Sequence, residues 1–179
     1  MGSDPLSNIT IPESDSSSLY YKFQPGDNRF RIVGDWMQGY EDWSKELRLA
    51  SGAPLRSKNA LAQKGDQKPR YFALVPIWVD GAIKFISIHQ KTILTTIDLL
   101  NYSKDWGVCT EYDIMVKRQG EGKDGTLYTV TPCKPEPQRP ECKKAWEETE
   151  PKIDFDAYIA GGSILKTEEG AVEDTELPF

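Results

Sequence analysis

Two β-rich apolar runs, Tyr71 to Val79 and Ala82 to Ile88, are separated only by Asp80-Gly81. A two-residue connection of that type leaves little room for anything but a β-hairpin. Pro76 interrupts the first run and predicts an edge position or a bulge there, because proline donates nothing to a strand ladder. Upstream, Asn28 to Val33 alternates Phe30 and Ile32 with Arg29 and Arg31, a strand with one apolar and one basic face, entered through the turn Pro25-Gly26-Asp27. Downstream the period changes. Ile93, Leu94, Ile97 and Leu100 fall at helical spacing within Gln90 to Asp105, and the helix is expected to stop near Trp106-Gly107. A second hairpin is expected from Tyr112–Arg118 to Thr126–Thr131, across Gln119 to Gly125.

Between the first strand and the first hairpin lies a stretch from Arg48 to Arg70. It carries Arg48, Arg56, Lys58, Lys64, Lys68 and Arg70 against the single acid Asp66, and reads as a long, mobile basic loop. The order is therefore strand, long loop, strand, strand, helix, strand, strand. This is the order of an OB-fold, a mainly β, five-stranded, partly open barrel with one helix between strands three and four. Such barrels commonly bind oligonucleotides on one face and through the loops joining strands one to two and four to five. Here those loops are Asp35 to Pro69 and Gln119 to Gly125.

Four segments follow from composition. Residues 1–19 are polar and Ser-rich and read as a flexible lead-in; 20–135 hold the predicted barrel; 136–166 form a Pro-rich and charged extension; 167–179 form an acidic tail. Charge divides the same way. Lys22 to Lys144 has 20 Lys and Arg against 15 Asp and Glu, whereas Ala145 to Phe179 has 2 against 10. The net charge of −6 thus hides a basic body, suited to polyanions, beneath an acidic tail that polyanions repel.

Several chemistries find little footing. Cys109, Cys133 and Cys142 are odd in number and lack C-x-x-C spacing, which argues against a disulfide framework and points to a reducing compartment. A zinc site would have to combine them with His89, although no two of the four lie close in sequence. Gly120 to Thr126 lacks the spacing of a phosphate-cradling loop and joins two strands. Asp154-Phe155-Asp156 with Glu150 is the only candidate for nuclease metal ligands, and reads better as solvated charge. No catalytic residue, metal or cofactor is expected. No charged-then-apolar leader or long apolar run is seen, so neither secretion nor membrane spanning is expected.

An unpaired strand asks for cations that follow its phosphates and flat rings on which its bases stack. Cation candidates are Arg29, Arg31, Arg48, Arg56, Lys58, Arg70, Lys84, Lys117, Arg118 and Lys123; stacking candidates are Trp36, Tyr40, Trp43, Tyr71, Trp78 and Tyr128. Trp78, Phe72, Phe85 and Tyr112 lie in apolar runs, where core packing is the competing expectation.

Phe23 to Ile32, Gln90 to Ile93, Asp105 to Gly107, Tyr112 to Ile114 and Tyr128 to Pro132 resemble, in order and spacing, the OB-fold single-stranded DNA-binding proteins of tailed bacteriophages. The resemblance covers about residues 20–135. It implies a non-enzymatic protein that coats and protects single-stranded DNA during phage replication, in the cytoplasm of an infected bacterial host. An RNA-binding or cold-shock-like OB module is the alternative. The ending is similar to the acidic tip of bacterial single-stranded DNA-binding proteins, which implies that Glu173, Asp174, Glu176, Leu177, Pro178 and Phe179 meet replication, recombination or repair proteins. Two family features do not carry over: the zinc ligands of some relatives have no counterpart, and Cys109 stands where a proline is expected. Self-association stays open.

Overall fold

The computed structural model describes residues 18–166. Its strands are β1 (Tyr20–Tyr21), β2 (Gly26–Ile32), β3 (Met37–Asp42), β4 (Leu55–Ser57), β5 (Arg70–Val79), β6 (Ala82–Ile88), β7 (Ile114–Gln119) and β8 (Leu127–Pro132). They form one mixed, eight-stranded sheet in the order β1-β6-β5-β2-β7-β8, with β3 beside β5 and β4 beside β3. Among the described residues only β1 runs parallel to its neighbour, and the sheet does not close on itself. The expected hairpin between β5 and β6 turns at Asp80 and Gly81, whose φ angles of 52° and 76° are both left-handed, as this two-residue turn demands.

Beyond Ile32 the chain breaks its ladder with β5 and resumes it at Met37. Ile32 pairs with Ile77, and Met37 with Leu74. Pro76 faces this interruption: its carbonyl accepts from the Val33 amide at 3.1 Å, and the missing proline N–H falls where the neighbouring strand offers no regular partner. Pro76 therefore sits in a central strand, tolerated by a bulge in the strand beside it. Gly34 belongs to that bulge because an added Cβ would lie 2.4 Å from the Trp146 ring.

The Asp35 to Pro69 connection, which contains the basic stretch, is not loose throughout. β3 and β4 occupy part of it, a short 3-10 turn spans Lys45–Leu47, and the Gln67 amide donates to Ser44 Oγ at 2.9 Å. Pairing of β3 with β5 and of β4 with β3, together with these side-chain bonds, outweighs its polar composition; with β1 added, eight strands stand among the described residues where five are expected.

Both faces of the sheet are covered. One packs Phe30, Val75, Ile77 and Ile86 beneath helix α1 (Lys91–Asn101), whose Ile93, Leu94 and Ile97 are buried as their spacing predicts. The helix ends at Asn101 instead of Asp105, and Asn101 Oδ1 accepts the Cys109 amide at 2.9 Å as the chain turns back. After β7 a single helical turn, α2 (Gly122–Gly125), carries the chain into β8. The other face buries Phe72, Leu74 and Phe85 under Tyr158 and Ile164. Those last two come from residues 136–166, which form α3 (Pro140–Thr149) and α4 (Phe155–Ile159) and are part of the core instead of an extension outside it. Phe72, Leu74 and Phe85 would otherwise be exposed, at a cost of about 2 kcal/mol each. Among the described residues no helix is long and apolar enough to cross a membrane.

Candidate nucleic-acid interface

Asn28, 1% exposed, shapes one wall of the site. Its amide nitrogen donates to the Gln24, Gly26 and Val116 carbonyls, while its oxygen accepts from the Gln24 amide and from the Tyr21 hydroxyl at 2.6 Å. This fixes the turn that presents Lys22 and Phe23. Phe23 then meets Tyr128 of β8 with ring centroids 5.5 Å apart, and Arg118 Nη1 donates to the Phe23 carbonyl at 3.0 Å.

Two hollows lie side by side. The first, about 550 Å³, is lined by Trp36, Tyr71, Lys91 and Leu94; the second, about 330 Å³, by Lys22, Phe23, Trp43, Arg118 and Tyr128. Arg70 and His89 line both. Across the two, the cations Lys22, Arg56, Arg70, Lys91 and Arg118 stand against the acids Glu41 and Asp98. Partial burial, then the nearby Arg70 charge, hold the His89 imidazole below its ordinary range, with Glu41 opposing. Tyr71 packs edge-on to Tyr40 at 5.7 Å and its hydroxyl donates to Gln38 Oε1 at 2.8 Å, so its ring is braced while half-buried. Burial pushes its phenol up, and Tyr40 adds to the shift.

No family model, curated protein or solved structure matches the chain.

Of the candidates drawn from the sequence, Trp36, Trp43, Arg70, Tyr71, Arg118 and Tyr128 come together around these hollows, and Tyr40 supports them from behind Tyr71. Arg48 stays exposed, with its guanidinium carbon 5.7 Å from the Trp43 ring. Lys117 and Lys123 are exposed on β7 and α2 and line neither hollow. Lys58 is bound to Asp156 and lies 5.8 Å from the Phe155 ring.

Three cations are taken up by the fold. Arg31, with 8% of its side chain exposed, holds Asp113 and the Glu136 carbonyl. Arg56, with 10%, is packed on Tyr158; Lys84 is 5% exposed and engaged within the fold. Arg29 shares Asp113 with Arg31, and both line a separate hollow with Trp78 and Cys142. An alternating basic face looks solvated in sequence, but here a late segment covers Arg31 and leaves Arg29 exposed. Asp154 caps α4 by accepting the Ala157 amide, so one acid of the DFD segment has a structural task.

Lys22, Phe23, Glu41, His89 and Lys91 also wall the hollows, although none stood out as a site candidate in the sequence. No local signal marked Glu41, which sits in sequence among Asp35, Asp42 and Glu46; only the fold sets it against Arg70 and Arg56. The acidic-tail residues Glu173, Asp174, Glu176, Leu177, Pro178 and Phe179 lie outside the described residues.

Proposed function

We propose that the protein is a non-enzymatic, sequence-nonspecific single-stranded DNA-binding protein of the tailed-phage type, built on an OB-fold. The fold assignment rests on the strand path: β2 with β3 serves as a bent first strand, its early half beside β7 and its later half beside β5, with α1 between the third and fourth barrel strands. The observation that carries the function is the pair of adjoining hollows, walled by half-buried rings and an excess of cations. Unpaired bases gain roughly 1 to 3 kcal/mol each by stacking on such rings, and every base has a face to offer. Lys22, Arg70, Lys91 and Arg118 meet the phosphates. Duplex DNA hides its base faces and is expected to bind more weakly.

The resemblance to the tailed-phage proteins adds the proposed setting, coating of replication intermediates in an infected bacterium. The acidic tail recruits replication, recombination or repair proteins through Phe179 and its neighbours, and deletion of Pro178-Phe179 should abolish their capture while leaving DNA affinity in place.

Titration of the intrinsic tryptophan fluorescence with oligo-dT, across a salt series, tests the proposal. Expected are quenching and a fall of roughly 0.7 log unit in affinity per log unit of salt for each phosphate neutralised. A flat salt dependence or a preference for duplex overturns it. Tighter binding of a matched RNA transfers the site to the RNA-binding reading.

A further inference from the structure

The two hollows meet at Arg70, and a nearly buried carboxylate holds this residue from behind. Glu41, 3% exposed, stands opposite Arg70 in the antiparallel pairing of β3 with β5. Its Oε1 accepts from Arg70 Nε at 3.0 Å, and its Oε2 lies 3.8 Å from Arg56 Nε. Arg56 is fixed in turn: its guanidinium carbon lies 4.0 Å from the Tyr158 ring centroid, and its Nη1 donates to the Tyr158 carbonyl at 3.2 Å. Of the two arginines on Glu41, only Arg70 is open to a ligand, with 45% of its side chain exposed against 10% for Arg56. A guanidinium tied through Nε keeps two terminal amino groups for a second, fork-shaped contact, the geometry that suits a phosphate.

A nucleic-acid strand places one phosphate between each pair of consecutive bases. The site places rings on both sides of one guanidinium, Trp36 and Tyr71 on one, Phe23, Trp43 and Tyr128 on the other. Resting on the single-strand reading above, we infer that each protein takes a dinucleotide step here, one unpaired base in each hollow and the bridging phosphate on Arg70, with Glu41 as the positioning residue that aims the fork. A buried anion beside a phosphate site looks unfavourable by charge alone. Two arginines neutralise it, and an aimed guanidinium spends less freedom on binding than a free one.

The test compares oligo-dT affinity across a salt series for the full chain, R70A, R70K, E41Q and E41Q/R70A, with a thermal melt of each. Removing a negative charge predicts tighter binding by E41Q; loss of aim predicts binding about tenfold weaker, the usual scale of one charge-assisted hydrogen bond. R70A should weaken binding and lower the salt slope by roughly 0.7. R70K should keep the slope yet lose affinity, because a point charge does not reproduce the fork. On the R70A background E41Q should weaken nothing further. The dinucleotide TpT should compete for the site, and its neutral methylphosphonate analogue should not.

Tighter binding by E41Q, unchanged affinity and slope in R70A, or equal competition by the two dinucleotides overturns the inference. If E41Q unfolds because Arg56 is stranded, R70K decides: affinity equal to wild type overturns it. A wild-type chain that does not bind oligo-dT overturns the single-strand reading along with it, a result distinct from all of these.

Discussion

Arg31 donates from Nε to Asp113 Oδ1 at 2.8 Å, with its side chain almost wholly enclosed between the sheet and the chain leading into α3. Its Nη1 also meets the Glu136 carbonyl at 2.8 Å, so the guanidinium clamps residues far apart in sequence. Asp113→Ala removes the counter-charge and leaves this cation buried. It should lower stability by roughly 3 kcal/mol, the scale for breaking a buried pair. Urea unfolding measures the loss, and oligo-dT affinity at a temperature where the variant is folded should stay within about twofold.

The stacking rings should behave otherwise. Tyr71→Ala and Trp36→Ala should each reduce oligo-dT affinity by roughly 1 to 3 kcal/mol. Both side chains are half-buried and pack on the core, so some stability is lost as well. Tyr71→Phe separates the two effects, since it keeps the ring and removes only the hydrogen bond to Gln38. Its oligo-dT affinity should match wild type; a loss as large as that of the alanine variant rules out stacking at this position.

Gly34 offers a test of the bulge. An alanine there pushes its Cβ into the Trp146 ring, 2.4 Å from Cζ2, and overpacking of this kind costs about 1 to 3 kcal/mol. Gly34→Ala should therefore melt at a lower temperature, and Trp146→Leu added to it should recover part of the loss. Additive losses in the double variant would show that the two positions do not share a contact.

Alkaline pH should act through Tyr112. This residue has no exposed surface, its hydroxyl donates to the Gly107 carbonyl at 3.3 Å, and burial, aided by Cys109 and Glu111, pushes its phenol from 10.0 up to about 12. The unfolded phenol loses its proton first, so this contribution to stability is complete below pH 10 and is lost as pH rises from 10 to 12. Melting curves over that range should fall more steeply for wild type than for Tyr112→Phe, which has no proton to lose. Parallel curves would remove Tyr112 as the cause.

Local pattern carried much of the architecture. The Asp80-Gly81 hairpin and the Ile93, Leu94, Ile97 stripe were legible because turn chemistry and helical period are written in consecutive residues. Trp36, Trp43, Arg70, Tyr71, Arg118 and Tyr128 were also legible as site candidates, since rings near cations mark themselves. The tertiary structure decided which cations stay available. Arg31 is claimed by Asp113, 82 residues away, and Arg56 by the Tyr158 carbonyl, 102 residues away; no local period records such partners. The apolar run of β5 leaves both faces to be covered, and only folding reveals that α1 covers one and residues 136–166 the other. Composition and periodicity state what each segment must bury or present to water, whereas long-range packing selects the residue that meets the need.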